Sequence, residues 1–158
     1  MTLLVDLQNP EAFSELPLEE EFVLWAEAAW LDENDAGVVL RIVGESESRD
    51  LNKSFRGKDY STNVLSFVYE PPAFEFTEDI EPGDVDYLGD LVICAPVVQR
   101  EASEQGKTAK HHWAHMVIHG LLHLQGFDHI SDLEASIMEA REVEILHQLG
   151  FPNPYEPL

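Results

Sequence analysis

Three histidines carry the strongest chemical signal in the sequence: His119, His123 and His129, within the run His119-Gly-Leu-Leu-His-Leu-Gln-Gly-Phe-Asp-His129. A separation of four on a helix turns through about 400°, so His119 and His123 project from one face and can share a metal ion. Gly126 follows where such a helix should end. A glycine can take positive φ there and turn the chain so that His129 returns as a third ligand. Three neutral imidazoles suit Zn²⁺, with nickel and copper tolerating the same set, so one zinc ion is the expected cofactor. Structural zinc sites close with four protein ligands, whereas catalytic sites supply three and leave a position for water. Only three ligands are evident here, and the residue that could close the site as a fourth is the single cysteine, Cys94.

The neighbouring residues are read more plainly. His111, His112 and His115 lie one to two turns earlier on the same predicted helix and are expected to be solvated or substrate-facing, without a direct role; His147 is read the same way. Asp128, next to a ligand, is expected either to orient an imidazole or to form the turn. The spacing His-x₃-His-x₂-Gly-x₂-His also matches the zinc proteases called metzincins. Those enzymes carry a Glu directly after the first His as general base. Here that position is Gly120, so peptide hydrolysis would need a base from elsewhere.

The elements that must position these groups can be read from periodicity. Thr2–Leu7 alternates as a strand, and 18–31 places Phe22, Trp25, Ala26 and Ala29 at helical spacing behind Glu19, Glu20 and Glu21, whose charge suits a helix N-terminus. Gly37–Val43 reads as a strand and Ser46–Phe55 as a helix with Leu51 and Phe55 inward. Asn63–Tyr69 and Tyr87–Cys94 are further strands, joined by an acidic loop, expected to be mobile, that contains Pro71 and Pro72 and runs through Gly83. Helices follow at 96–105, 108–125 and 131–149, the last opened by Ser131 and Glu134 at capping-box spacing and stopped by Gly150 and Pro152. Strands interrupted by helices, then three helices in succession, predict an α+β fold.

A chain of 158 residues favours one domain, 1–158. No stretch approaches the roughly 20 apolar residues that span a bilayer, and the first residues carry no basic or long apolar signal, so a soluble, cytoplasmic protein is expected. One cysteine fits a reducing compartment. The outlier is charge: 31 acids against 9 bases give −22, which argues against nonspecific binding to DNA, RNA or an anionic membrane. Its distribution is uneven. Residues 1–35 hold ten acids and no Lys or Arg, and eight of the nine bases lie within 41–58 and 100–110, which would form a local positive surface if the fold joined them.

Together with Arg56-Gly-Lys-Asp-Tyr-Ser-Thr-Asn-Val-Leu-Ser-Phe67, the histidine run closely resembles the YbeY family of bacterial endoribonucleases and rRNA maturation factors. The resemblance continues through Leu88-Gly-Asp-Leu-Val-Ile-Cys94 to the last helix. It implies a small mixed β-sheet packed with helices around a central metal-bearing helix, with a metzincin-like zinc site formed by His119, His123 and His129. It also implies single-strand-specific RNA cleavage in 16S rRNA 3′-end maturation and ribosome quality control. The partners it points to are single-stranded rRNA, the small ribosomal subunit with its proteins and, as a candidate, a ribosome-assembly GTPase; DNA and membrane are excluded. Arg56 matches the family's motif arginine, expected to act near the zinc, and its planar donors suit a phosphate. Many relatives have Asp at the position of Asn63 and Pro at that of Ser61, so Asn63 is read as structural. Bound metal would make a built-in Glu base less necessary by acidifying water. Whether water or the RNA's own 2′-hydroxyl attacks stays open. Two rival readings remain: a zinc metalloprotease, and a non-catalytic ribosome-assembly module with a structural zinc.

Overall fold

A computed structural model describes residues 3–69 and 86–155; most of the acidic loop expected through Gly83 lies outside them. The elements run β1 (Leu3–Gln8), α1 (Glu19–Ala29), β2 (Ala36–Val43), α2 (Glu45–Arg56), β3 (Val64–Val68), β4 (Asp86–Cys94), α3 (Ala95–Glu104), α4 (Ala109–Leu124) and α5 (Asp132–Gln148). The strands form one sheet in the order β1-β2-β4-β3, with β1, β2 and β4 parallel and β3 antiparallel along β4. This is the expected α+β architecture, a small mixed sheet packed with helices.

Period-2 alternation on β4 builds two cores. Leu91 and Ile93 join Val38, Leu40 and Ile42 of β2 in the larger one, while Val92 and Cys94 join Val43 and Leu65 in a smaller one on the other face. A strand buried on both faces reads as a continuous apolar run, which is what 91–94 of β4 shows. α1 contributes Phe22, Trp25, Ala26 and Ala29, the four residues its spacing selected, to the larger core. Its first turn is held by Glu21, whose carboxylate accepts from the Leu18 backbone N–H at 3.0 Å.

α4 begins where the Thr108 hydroxyl accepts from the His111 N–H at 3.1 Å and then runs through the larger core. Trp113, Ile118, Leu121 and Leu122 are fully buried on it, and Trp113 meets the edge of Phe22 at 5.6 Å. The helix passes β4 so closely that a Cβ at Gly120 would lie 2.7 Å from Leu91 Cδ2. This central placement corrects one expectation: His111, His112 and His115 are buried rather than solvated, because α4 has neighbours on nearly every side.

α2 corrects another. Its buried residues are Ser48 and Asn52, Leu51 is half-buried, and Phe55 is 67% exposed. The inward face is polar because it clamps the segment leading into β3. The Ser48 hydroxyl donates to the Thr62 carbonyl and accepts from the Thr62 N–H, and the Asn52 amide donates to the Tyr60 carbonyl. Phe55 instead leans on Phe67 of β3, edge to face, with centroids 5.1 Å apart.

Candidate metal centre

α4 is capped at Gln125, just past its last residue Leu124, and Gly126 takes φ of 101°. The Gly126 N–H donates to the His123 carbonyl and the Phe127 N–H to the Leu122 carbonyl, both at 3.0 Å, so free helix carbonyls are satisfied as the chain reverses. The reversal returns His129 to the helix. Ring centroids of His119, His123 and His129 lie 4.7, 5.0 and 5.6 Å apart, and their ligand nitrogens all fall within 4.8 Å of one another. His119 and His123 are half-buried, whereas His129 is exposed. Burial lowers the His123 pKa, and the neighbouring His119 and His129 lower it further. That favours the neutral imidazole a metal needs, so the donor set fits a divalent ion such as zinc.

Behind the triad stands Glu142 of α5, whose side chain is 1% exposed. Its Oε1 accepts from His119 Nδ1 at 2.9 Å, which leaves His119 Nε2 free to face its partners. His115 Nε2 donates to Oε2 at 2.8 Å, and the Tyr155 hydroxyl donates to the same oxygen at 2.5 Å. Tyr155 is presented by a turn in which the Asn153 side chain accepts from its N–H at 2.8 Å. Burial alone would push the Glu142 carboxyl up, yet the bonds from His115 and His119 outweigh it and hold the pKa at about 2. Tyr155 is pushed well above its ordinary range, first by burial and then by the Glu142 charge. His115, His119 and Glu142 are also close enough to form a metal cluster by distance. Their facing atoms are occupied by hydrogen bonds, so this group serves as a support for His119.

The motif reading had no place for Glu142. One signal for it exists in the sequence: Met138, Glu142, Ile145 and Leu146 share the buried stripe of α5. An acid on an apolar stripe asks for buried donors. Asp128, by contrast, is a turn residue: its Oδ1 accepts from the His129 backbone N–H at 2.8 Å and lies 3.9 Å from His129 Nδ1, too far to orient the ring. His112 Nε2 pairs with Glu101 Oε1 at 2.9 Å, and Asn63 donates to the same carboxylate at 3.0 Å while accepting from the Val64 N–H, the structural role read for it. His111 stacks on Phe151, and His147 is exposed on α5. Cys94 is fully buried in the smaller core and belongs to neither histidine cluster.

The triad opens into a cavity of about 940 Å³ whose wall includes Phe55, Arg56, Asn63, Phe67, Asp128 and Ile130. Arg56 is exposed and makes no ion pair among the described residues. The two basic stretches do meet, since Arg100 of α3 pairs with Glu45 of α2 at 2.8 Å. The joint surface is thinned by acids, however: Arg41 pairs with Glu47, Arg49 with Asp59 and Lys110 with Glu21. Among the described residues no helix is long and apolar enough to cross a membrane.

The family model described as Endoribonuclease YbeY matches residues 9–150. The Endoribonuclease YbeY of Methylococcus capsulatus is 55% identical over 145 residues, covering 92% of this chain and 91% of the relative. That of Nitrosococcus oceani is 46% identical over 157 residues, covering 99% of each. Among solved structures, the solution structure of TM1509 from Thermotoga maritima aligns over 93% of this chain and 92% of its own, with a TM-score of 0.53 and 25% identity. With a match of this length over both the arginine and the histidine segments, the chain belongs to the YbeY family of endoribonucleases.

Proposed function

We propose that residues 1–158 act as one zinc-dependent, single-strand-specific endoribonuclease domain in the cytoplasm, working in 16S rRNA 3′-end maturation and ribosome quality control. The observation that carries this reading is a single cavity lined by both Arg56 and the three histidines. A phosphodiester needs a group that binds its anionic oxygens and a centre that activates the attacking oxygen, and one cavity lined by candidates for both supports this reading. His119, His123 and His129 would hold the zinc, which when bound would supply Lewis acidity and acidify water.

The chain's own residues do the rest. Glu142 holds the His119 ring and its Nδ1 proton, so the ring arrives oriented. Arg56, with no acid partner among the described residues, offers a planar fork to the phosphate and neutralises charge as it builds on phosphorus. The small ribosomal subunit, its proteins and an assembly GTPase remain the candidate partners. A protease reading is disfavoured at Gly120: that position carries no carboxylate base, and a Cβ there would already crowd the Leu91 side chain of the sheet.

The test is RNA digestion on purified small subunits with metal-loaded and chelated protein, mapping both product ends. His119→Ala should lose metal and cleavage together. Arg56→Ala should keep its metal and melting temperature while cleavage falls by about a hundredfold or more, the usual scale for one charge-stabilising donor. Undiminished cleavage by both purified variants would sink the reading. A 2′,3′-cyclic phosphate end would assign the attack to the RNA's own 2′-hydroxyl.

A further inference from the structure

The cavity around the triad is polar at its centre and apolar at its rim. Phe55 at the end of α2 is 67% exposed, Val68 at the end of β3 is 55% exposed, and Ile130 beyond the α4 turn is 85% exposed. All three line this one cavity beside Arg56 and His129. Large apolar side chains scattered singly over a surface need no explanation, but three from separate elements meeting at a charged cavity do. Phe55 is anchored as well as exposed. It contacts Phe67 at 5.1 Å and 73°, and Phe67 packs in turn on the smaller core of Val92, Leu65 and Cys94.

We propose that Phe55 is a stacking platform for one unpaired base of the RNA, the base adjoining the phosphate held by Arg56. The inference rests on the nuclease reading above and adds a binding subsite to it. Phe55 and Arg56 are consecutive and line the same cavity, so an aromatic ring and a guanidinium are both offered to the RNA at one end of α2. A base within a duplex has both faces covered by its neighbours, whereas a splayed base offers a free face to an aromatic ring. The platform therefore gives single-strand selectivity a physical cause. Stacking also needs no positive charge, which matters on a chain whose net charge is −22.

The test measures binding of a fluorescent single-stranded 2′-O-methyl RNA to zinc-loaded full-length protein, with one abasic residue walked along the strand. Phe55→Leu keeps an apolar side chain but removes the ring. It should weaken binding about 5- to 150-fold, the range for one stacked base, with metal content and melting temperature unchanged. Phe55→Trp should restore binding. One abasic position should cost the wild type a similar factor and cost Phe55→Leu almost nothing, because the lost base and the lost ring are the same contact. Wild-type affinity in Phe55→Leu, or an abasic penalty that persists in it, overturns the platform while leaving the nuclease reading in place. A wild-type protein that neither binds nor cleaves RNA overturns both.

Discussion

A carboxylate as deeply buried as Glu142 stays charged only where hydrogen-bond donors replace the water it has lost. His119, His115 and Tyr155 provide three, from α4 and from the turn at 153–155. Glu142→Gln keeps the shape but removes the charge and sets an amide N–H₂ against one of those donors. Its zinc affinity should fall about 10- to 100-fold, the range for carboxylates that support a ligating histidine, as read by chelator competition. Affinity equal to wild type would reduce Glu142 to a packing residue. The sign with pH follows from its lowered pKa. Relative to an ordinary 4.5, a folded value of about 2 means the stabilisation is complete above pH 4.5 and drains away as pH falls toward 2. Denaturant unfolding of metal-free protein across that window should show wild type converging on Glu142→Gln, with roughly 3 kcal/mol at stake at neutral pH. The triad was legible because its spacing is local: four residues on one helix, then a glycine and a turn. Glu142 lies on a different helix, and only tertiary packing shows which of the many acids meets His119.

Elements place these residues, and Gly120 shows how tightly. The position after the first ligand marks a missing base when read as sequence, but the structure gives the glycine a positive reason: α4 and β4 approach until a Cβ would stand 2.7 Å from Leu91 Cδ2, so the leucine would have to shift. Gly120→Ala should therefore lower the melting temperature, because overpacking costs about 1–3 kcal/mol against the roughly 1 kcal/mol by which alanine favours a helix interior. Leu91→Val removes the offending reach, so the double variant should be more stable than the two single losses predict. Additive losses would refute the close approach. Periodicity located the nine elements of the described residues to within a residue or two at their ends, since most of their apolar faces are regular. It failed at α2, where Ser48 and Asn52 turn inward to hold 60–62 by hydrogen bonds. A polar inward face leaves no apolar stripe to read, and Phe55 was assigned to the wrong side.

For the molecule as a whole, the charge sum and the charge pattern answer different questions. A net −22 sets the far field, and a polyanion approaching from a distance is repelled. Near the site the pattern takes over. Arg41, Arg49, Arg100 and Lys110 are already paired with acids, which leaves Arg56 as the cation on the cavity wall with no ion pair among the described residues. A wall with one such cation holds one or two phosphates at most. Each phosphate contact with a single strand contributes about −0.7 to the slope of log affinity against log salt. The slope for this protein should therefore be no steeper than about −1.5, and salt screening of the acidic body flattens it further. Titration of the 2′-O-methyl RNA over increasing potassium chloride measures it directly. A slope beyond roughly −3 would require a track of four or more phosphate contacts, and would mean that the eight clustered bases, not one arginine with an aromatic ring beside it, hold the strand.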